Sequence, residues 1–381
     1  MQRFAAIEGL RAWLAWAVVF SHIAQVLGLG IHGGHAVWFD HAGEAAVFIF
    51  IAISGFVIAG LVIDRQEPWP RYITRRAFRL FPAYWLAYGA AFLALPFGIA
   101  ALAHVPALIA DPAYSYDELL RGWQATMADH GAIELVLHIV LLQGVVPDSL
   151  IPYSASAVLG PAWSLTLEWQ FYLVAPAFVG LVARNTSRMA ATLVIAALAV
   201  AFHMGAFGRY DLPSFLPGAG YIFLIGIASR LNFEKIRAAA IGPEVVPVLM
   251  AIAIIVPAIA FLAIWLCILA YLARREAWAT GSAGRRLASA MDQLFASPLA
   301  QWFGARSYSV YLVHFPIIMV LSLPILRDVH GSGLQFLAFA AAVIPLVLIA
   351  SELMHRFVER PFIALGARLV RGAPKDAPGH A

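Results

Sequence analysis

Long apolar runs without any charged residue are the feature that most narrows what this chain can fold into. Residues 45–63 form nineteen consecutive positions without a charge, and residues 335–350 form a second such run. A helix needs about 20 mostly apolar residues to cross the hydrocarbon of a bilayer. Only 12% of the residues are charged, against about 25% in soluble domains. The chain therefore lacks the polar surface of a water-soluble globule.

Apolar runs between polar or turn-forming residues predict an all-α, polytopic transmembrane bundle of about ten spans, with both termini cytoplasmic. The predicted spans are 10–29, 43–63, 77–102, 133–147, 165–183, 189–206, 214–230, 245–273, 303–325 and 333–358. The fourth is short and the eighth contains Pro257, so either could be re-entrant. Residues 1–364 are predicted as one membrane-embedded domain and residues 365–381 as a short cytoplasmic tail.

Arginines in short loops predict the orientation, because positively charged loops stay on the cytoplasmic side. The loop after the second span carries Arg65, Arg71, Arg75, Arg76 and Arg79. Residues 30–42 contain no Lys or Arg, and residues 104–132 contain four acidic residues and one arginine, Arg121, so both are predicted to be external. Arg230, Lys235 and Arg237 do not fit, because a strict count of ten spans puts them outside.

The first predicted span carries two ionisable residues, Arg11 and His22. Eleven positions make three helical turns plus about 20°, so both project from one face, about 16 Å apart along the axis. Ionisable residues inside a membrane usually face a cavity or a partner. The pair either binds a ligand, or it consists of a snorkelling arginine and a histidine in an interhelical hydrogen bond.

Arginines also cluster ahead of the third span, where Arg75, Arg76 and Arg79 share one helical face. The planar fork of arginine suits phosphate oxygens. The same cluster could instead contact anionic lipid headgroups.

Two further segments place polar residues where predicted spans begin. The first contains Trp163, Ser164, Glu168 and Tyr172, and the second contains Ser309, Tyr311 and His314. Ser164 and Glu168 lie one helical turn apart, as do Tyr311 and His314. These residues either form a site or make ion pairs and hydrogen bonds that dock helices.

A metal is not expected. His32, His35 and His41 lie close together in sequence, but their spacing matches no compact metal-ligand pattern. The single cysteine, Cys267, cannot supply the cysteine pairs of a zinc site. No nucleic-acid partner is expected either, and the oligomeric state is open.

Taken in order, these segments closely resemble acyltransferase family 3, bacterial membrane enzymes that O-acylate envelope glycans and some small molecules. The resemblance extends from about Phe4 to Pro361. It is carried by Arg11 with His22, Ser54-Gly55-Phe56, Arg75-Arg76-x-x-Arg79-Leu80-x-Pro82, Trp163-Ser164-Leu165 with Glu168 and Phe171-Tyr172, Ser307-Tyr308-Ser309 with His314, and Glu359-Arg360-Pro361.

The resemblance implies transfer of an acyl group, usually acetyl, from cytoplasmic acyl-CoA to a hydroxyl of a cell-surface or lipid-linked saccharide, in the bacterial inner membrane. The expected CoA-binding residues are Arg11, Arg75, Arg76 and Arg79. His22 is expected to be the general base or a transient acyl carrier, with Glu168 orienting it or holding the sugar. The expected substrate-contacting or supporting residues are Ser54, Trp163, Ser164, Tyr172, Ser309, Tyr311 and His314; of these, Tyr311 and His314 are candidate oxyanion donors.

Many relatives carry an esterase-like domain after the last span, and this chain is expected to be the stand-alone form. The alternative function is a polytopic transporter of a glycan precursor or a small solute, because intramembrane polar groups also line transport paths. Transporters often contain inverted repeats, and no corresponding halves are found in this sequence.

Overall fold

The structure is a computed structural model that describes residues 5–27, 37–102, 116–325 and 333–371, so His32 and His35 lie outside it. Within those ranges the chain forms fifteen α-helices and no β-strand, which confirms the all-α prediction. The first eight helices are α1 Ala5–Val26, α2 Val37–Arg65, α3 Trp69–Leu102, α4 Tyr116–Ile139, α5 Ala162–Ala183, α6 Asn185–His203, α7 Leu216–Leu231 and α8 Phe233–Ala238. The others are α9 Val245–Ile255, α10 Ala260–Trp278, α11 Ser282–Phe295, α12 Pro298–Ala305, α13 Ser307–Ile325, α14 Gly333–Met354 and α15 Arg360–Arg371.

Seven helical segments are long and apolar enough to cross a membrane. They are His41–Arg65, Trp69–Ala101, Ala162–Ala183, Asn185–His203, Pro257–Trp278, Ser307–Pro324 and Leu334–Arg371. α1 is not among them, because Arg11, His22 and Gln25 lower its hydropathy. α7 and α9 are apolar but shorter. The count of ten crossings and the cytoplasmic termini therefore stay predictions.

The predicted eighth span, 245–273, is two helices. α9 ends at Ile255, a short 3₁₀ turn begins at Pro257, and α10 follows. Proline lacks the N–H that would continue the helix, and its ring clashes with the preceding turn. Cys267 lies against the Val246 carbonyl, so the two helices run antiparallel as a hairpin.

Residues 133–147, predicted as a short or re-entrant fourth span, do not form one helix. α4 begins inside the stretch predicted as external and ends at Ile139. It runs antiparallel to α3, with Leu120 next to Gly98 and the Ile139 carbonyl accepting from Trp85 Nε1 at 2.9 Å. Trp85 lies halfway along α3, so α4 reaches only half the length of its neighbour before the chain turns back. This path fits the re-entrant alternative for residues 133–147.

Hydrogen bonds fasten the returning segment to α4. Thr126 Oγ1 donates to the Pro152 carbonyl at 2.7 Å, and Trp123 Nε1 donates to Ser156 Oγ at 3.2 Å. The backbone has positive φ at three non-glycine residues of this segment, Leu141, Tyr153 and Val158. Such angles are uncommon for L-residues and persist where surrounding contacts hold them. The apolar composition resembles that of a span and gives no sign of this path.

The structure also removes the conflict over orientation. α2 and α7 pack in parallel, with Gly55 close to the Phe223 carbonyl and Arg230 3.5 Å from Asp64. Arg230 therefore lies at the same end of the bundle as Arg65. The ten-span count places Arg230 at the opposite end because that count takes residues 133–147 as a full crossing.

α15 packs against the beginning of α3, where the backbone of Gly366 lies close to Phe78. A π-helical turn, His355–Glu359, connects α14 to it. The domain boundary predicted between residues 364 and 365 therefore falls inside a helix.

Candidate active site

A cavity of about 960 Å³, including its open mouth, lies at the end of the bundle where α1 begins and α2 ends. Side chains from α1, α2, α3, α5 and α13 line it. Eight of the thirteen predicted site residues are in this lining: Arg11, Ser54, Arg76, Arg79, Ser164, Glu168, Tyr172 and Tyr311. Segments far apart in sequence therefore meet at one site.

The apolar wall of the cavity comes mainly from one face of α2. Val47, Phe50, Ser54 and Val57 point into it at intervals of three or four residues, the spacing of a single helical face. Across from them, the backbone of α12 lies against the beginning of α1. A Cβ at Gly304 would come within 1.9 Å of the Glu8 carbonyl oxygen, so only glycine allows this approach, which places Glu8 and Arg11 at the rim.

The predicted arginines divide into two groups. Arg75 is not part of the lining and forms an ion pair with Glu67 at 3.2 Å, so the expectation that it binds CoA is not supported. Arg11, Arg76 and Arg79 line the cavity, and no described carboxylate lies within 4.0 Å of their guanidinium groups. The buried Nε of Arg76 has no hydrogen-bond partner. These cations are free to meet an anionic ligand.

Glu168 forms a wall of the cavity together with two hydroxyl groups. It accepts hydrogen bonds from Ser54 Oγ at 3.0 Å and from the Tyr172 hydroxyl at 2.5 Å. The Arg76 guanidinium lies over the Tyr172 ring, 5.8 Å from its centre. The predicted contact between Glu168 and His22 does not form.

Tyr311 closes the inner end of the cavity. Its hydroxyl donates to the Pro161 carbonyl at 2.9 Å and is 2.7 Å from Ser164 Oγ. Its ring meets the ring of Phe50 edge-on, with 6.2 Å between the centres. Because its hydroxyl proton is already engaged, Tyr311 does not have the free donor predicted for an oxyanion.

His22 pairs with His314, across a sequence separation of 292 residues. His22 Nδ1 is 2.9 Å from His314 Nε2, and the edge of Phe315 packs against the His22 ring. The pair is outside the cavity lining, but the His314 ring centre is only 5.9 Å from that of Tyr311. The two imidazoles therefore lie just beyond the inner end of the cavity. Both His314 nitrogens have partners, so His314 is not a free oxyanion donor either.

Two predicted residues lie away from the cavity. Ser309 is buried and donates to Glu359 at 2.9 Å, and Glu359 also contacts His355 Nδ1 at 2.9 Å. Trp163 is partly buried beside the lining and is not part of it. Ser309 thus belongs to a hydrogen-bond network at the end of α14.

Eleven residues of the lining, Phe50 and Glu8 among them, and one buried cluster were not among the predicted site residues. Both had a usable signal, because Phe50 precedes Ser54 by one helical turn and Glu8 precedes Arg11 by three residues. The cluster centres on His138, whose nitrogens lie 3.1 Å from the Tyr84 hydroxyl and 3.3 Å from Glu134. No cluster of metal-ligand type was found in the described ranges.

Sequence comparison relates this chain to known proteins. The family model of acyltransferase family 3, described as an acyltransferase domain, matches residues 4–355. Nodulation protein 10 of Rhizobium leguminosarum bv. viciae is 28% identical over 234 residues, which cover 60% of this chain and 59% of that protein. No solved structure matches. The chain belongs to acyltransferase family 3.

Proposed function

We propose that this protein is an inner-membrane O-acyltransferase that moves an acyl group, acetyl by family resemblance, from cytoplasmic acyl-CoA to a saccharide hydroxyl. The observation that carries the proposal is the cavity itself. It has three guanidinium groups near one end, with no carboxylate of the described residues within 4.0 Å of them, and a histidine pair just beyond the other end. This arrangement suits a donor with an anionic head and a reactive arm.

Arg11, Arg76 and Arg79 would bind the phosphates of CoA. Guanidinium groups form paired, charge-assisted hydrogen bonds with phosphate oxygens. The apolar face of α2 would lie along the pantetheine arm, and the arm must pass the contact between Phe50 and Tyr311 to reach His22. Opening of that contact would be part of donor binding.

His22 would act as the general base. It takes the proton of the acceptor hydroxyl while the hydroxyl oxygen attacks the thioester carbonyl carbon. The new C–O bond forms, the C–S bond breaks, and the CoA thiolate takes up the proton. In a variant, His22 itself receives the acyl group and passes it to the hydroxyl. Both routes give the same ester and free CoA.

A saccharide acceptor and the bacterial inner membrane are supported by the family resemblance. The end of the bundle opposite the cavity arginines, predicted to be external, would meet that acceptor. The transporter alternative has less support, because the family is one of acyltransferases and the cavity ends at Tyr311.

The test uses purified full-length protein in lipid nanodiscs with radiolabelled acetyl-CoA and saccharides from the bacterial envelope. The wild-type protein is expected to bind acetyl-CoA and to label a saccharide, and labelling is expected to disappear in His22→Ala. Labelling by His22→Ala at the wild-type rate would refute the role of His22. Failure of the wild-type protein to bind any CoA thioester would favour the transporter.

A further inference from the structure

The hydrogen bonds around His314 determine which nitrogen of His22 carries a proton. His314 Nδ1 lies 3.2 Å from the carbonyl oxygen of Val310, one turn earlier on α13. A carbonyl oxygen only accepts hydrogen bonds, so His314 carries its proton on Nδ1. An unprotonated Nδ1 would set two lone pairs against each other at this distance.

The remaining assignments follow from the neutral state of the two rings. No described carboxylate lies within 4.0 Å of either imidazole, and an unpaired charge is costly inside a bilayer. A neutral imidazole has one donor nitrogen and one acceptor nitrogen. With Nδ1 protonated, His314 Nε2 is an acceptor, and the nitrogen facing it at 2.9 Å is His22 Nδ1. His22 Nδ1 therefore donates, and His22 Nε2 keeps its lone pair.

We propose that His314 is a positioning residue that holds His22 in the tautomer with the proton on Nδ1, so that Nε2 is the atom that accepts the hydroxyl proton. The catalytic part of this inference rests on the proposed function. The hydrogen-bond chain runs in one direction, from His22 through His314 to the Val310 carbonyl. Phe315 packs edge-on against His22 at 5.5 Å between ring centres and limits rotation of the imidazole.

Carboxylates usually orient a catalytic histidine, as in the Ser-His-Asp arrangement, where the wrong tautomer costs about 10⁴-fold in turnover. A second neutral histidine can set the tautomer without placing a charge in the bilayer. A neutral histidine partner stabilises the imidazolium form of His22 less than a carboxylate partner would. The proton therefore passes more readily from His22 to the departing thiolate. His314 thus replaces Glu168 as the residue that orients His22.

Two substitutions at His314 separate orientation from packing. In His314→Gln, the side-chain carbonyl can still accept a hydrogen bond from His22 Nδ1. His314→Leu has a similar bulk and no acceptor. Turnover is expected to fall about 10- to 100-fold in His314→Leu, since an unheld imidazole samples both tautomers, whereas His314→Gln recovers most of the loss. The KM for acetyl-CoA is expected to stay unchanged in both variants.

Nitrogen NMR of the full-length protein, labelled with ¹⁵N-histidine in nanodiscs, identifies the tautomer of His22 independently of any activity measurement. The His22 signals, assigned by comparison with His22→Ala, are expected to show a protonated Nδ1 and an unprotonated Nε2 in the wild-type protein and in His314→Gln. In His314→Leu both nitrogens are expected to show averaged signals.

A proton on His22 Nε2 in the wild-type protein would overturn the inference, as would equal turnover in the wild-type protein and His314→Leu. Equal losses in His314→Leu and His314→Gln, with both variants folded, would also overturn it. The proposed function fails separately, through an active His22→Ala, and that result would leave the NMR assignment untouched.

Discussion

Two histidine clusters inside this bundle, one around His138 and one formed by His22 and His314, differ in what surrounds them. His138 lies between the Tyr84 hydroxyl and Glu134, and Ser154 Oγ donates to the same carboxylate at 2.7 Å. Among the described residues, His22 has only His314 as a polar partner of its ring. Judged only by the polar groups around each histidine, the His138 cluster would be the better candidate for acid–base catalysis.

The two clusters also differ in whether a ligand can reach them. Glu134, His138 and Ser154 are fully buried and do not line the arginine-lined cavity. Ser154 belongs to the returning segment and Glu134 to α4, so their hydrogen bond fastens one to the other. The His22–His314 pair lies beside the inner end of an arginine-lined cavity. The cluster with the carboxylate therefore stabilises the fold in this protein. The reactive histidine is His22, which a ligand in the cavity can approach.

The largest expected effect comes from breaking the reactive cluster. His22→Ala should lower turnover by about 10²- to 10⁴-fold, because the general base is lost. Its thermal unfolding should stay close to that of the wild-type protein, since His22 makes one side-chain hydrogen bond. Initial rates with radiolabelled acetyl-CoA and a thermal melt of each variant measure both quantities. A stable protein with full turnover would contradict the comparison.

The structural cluster should respond in the opposite way. Glu134→Ala should lower the free energy of unfolding by about 3 kcal/mol, because it leaves buried partners unpaired. Asp129→Ala, an exposed position on the same helix, is the matched control and should change it by less than about 0.5 kcal/mol. Denaturant-induced unfolding in detergent micelles compares the two variants. If Glu134→Ala is as stable as the control, the His138 cluster does not stabilise the fold.

The cavity arginines sharpen the comparison at the donor end. Arg76→Ala should raise the KM for acetyl-CoA about tenfold with little change in turnover, because a charge-assisted phosphate contact is lost. Arg75→Ala removes the neighbouring arginine, which is already paired with Glu67, and should change KM by less than about twofold. Steady-state kinetics at fixed salt measures both. Equal effects of the two substitutions would remove the distinction between the arginines.

The smallest effect is expected at the closed end of the cavity. Tyr311→Phe keeps the ring contact with Phe50 and removes the hydroxyl that bonds the Pro161 carbonyl. The free energy of unfolding should fall by about 1 kcal/mol, and turnover should fall less than about tenfold, because this hydroxyl is not a free donor. A loss as large as that of His22→Ala would mean that Tyr311 acts directly in the chemistry.

Much of the architecture could be predicted from sequence, because apolar runs report helices directly. The segment that follows α4 is the exception. Residues 133–147 are apolar enough to suggest a span, yet the chain turns back near Leu141. Nothing local marks that turn, since it depends on hydrogen bonds from α4 and α5, such as the one from Thr166 Oγ1 to the Leu141 carbonyl.

The site residues were predictable by type and only partly by role. Helical spacing put Arg11 and His22 on one face, but it could not show that His314 is the partner, because that contact depends on how α1 and α13 pack. Arg75 and Arg76 are adjacent in sequence and about 100° apart around the helix, so only one of them reaches the cavity. Roles that depend on the rotation of packed helices are not readable from one sequence.

The most direct test of the account is an electron cryomicroscopy structure of His22→Ala in nanodiscs with acetyl-CoA bound. The account predicts that the phosphates contact Arg11, Arg76 and Arg79, and that the thioester lies past Tyr311 next to the position of the missing imidazole. Density for CoA at another surface of the protein, or a thioester that stays at the cytoplasmic mouth with the cavity beyond Tyr311 empty, would contradict it.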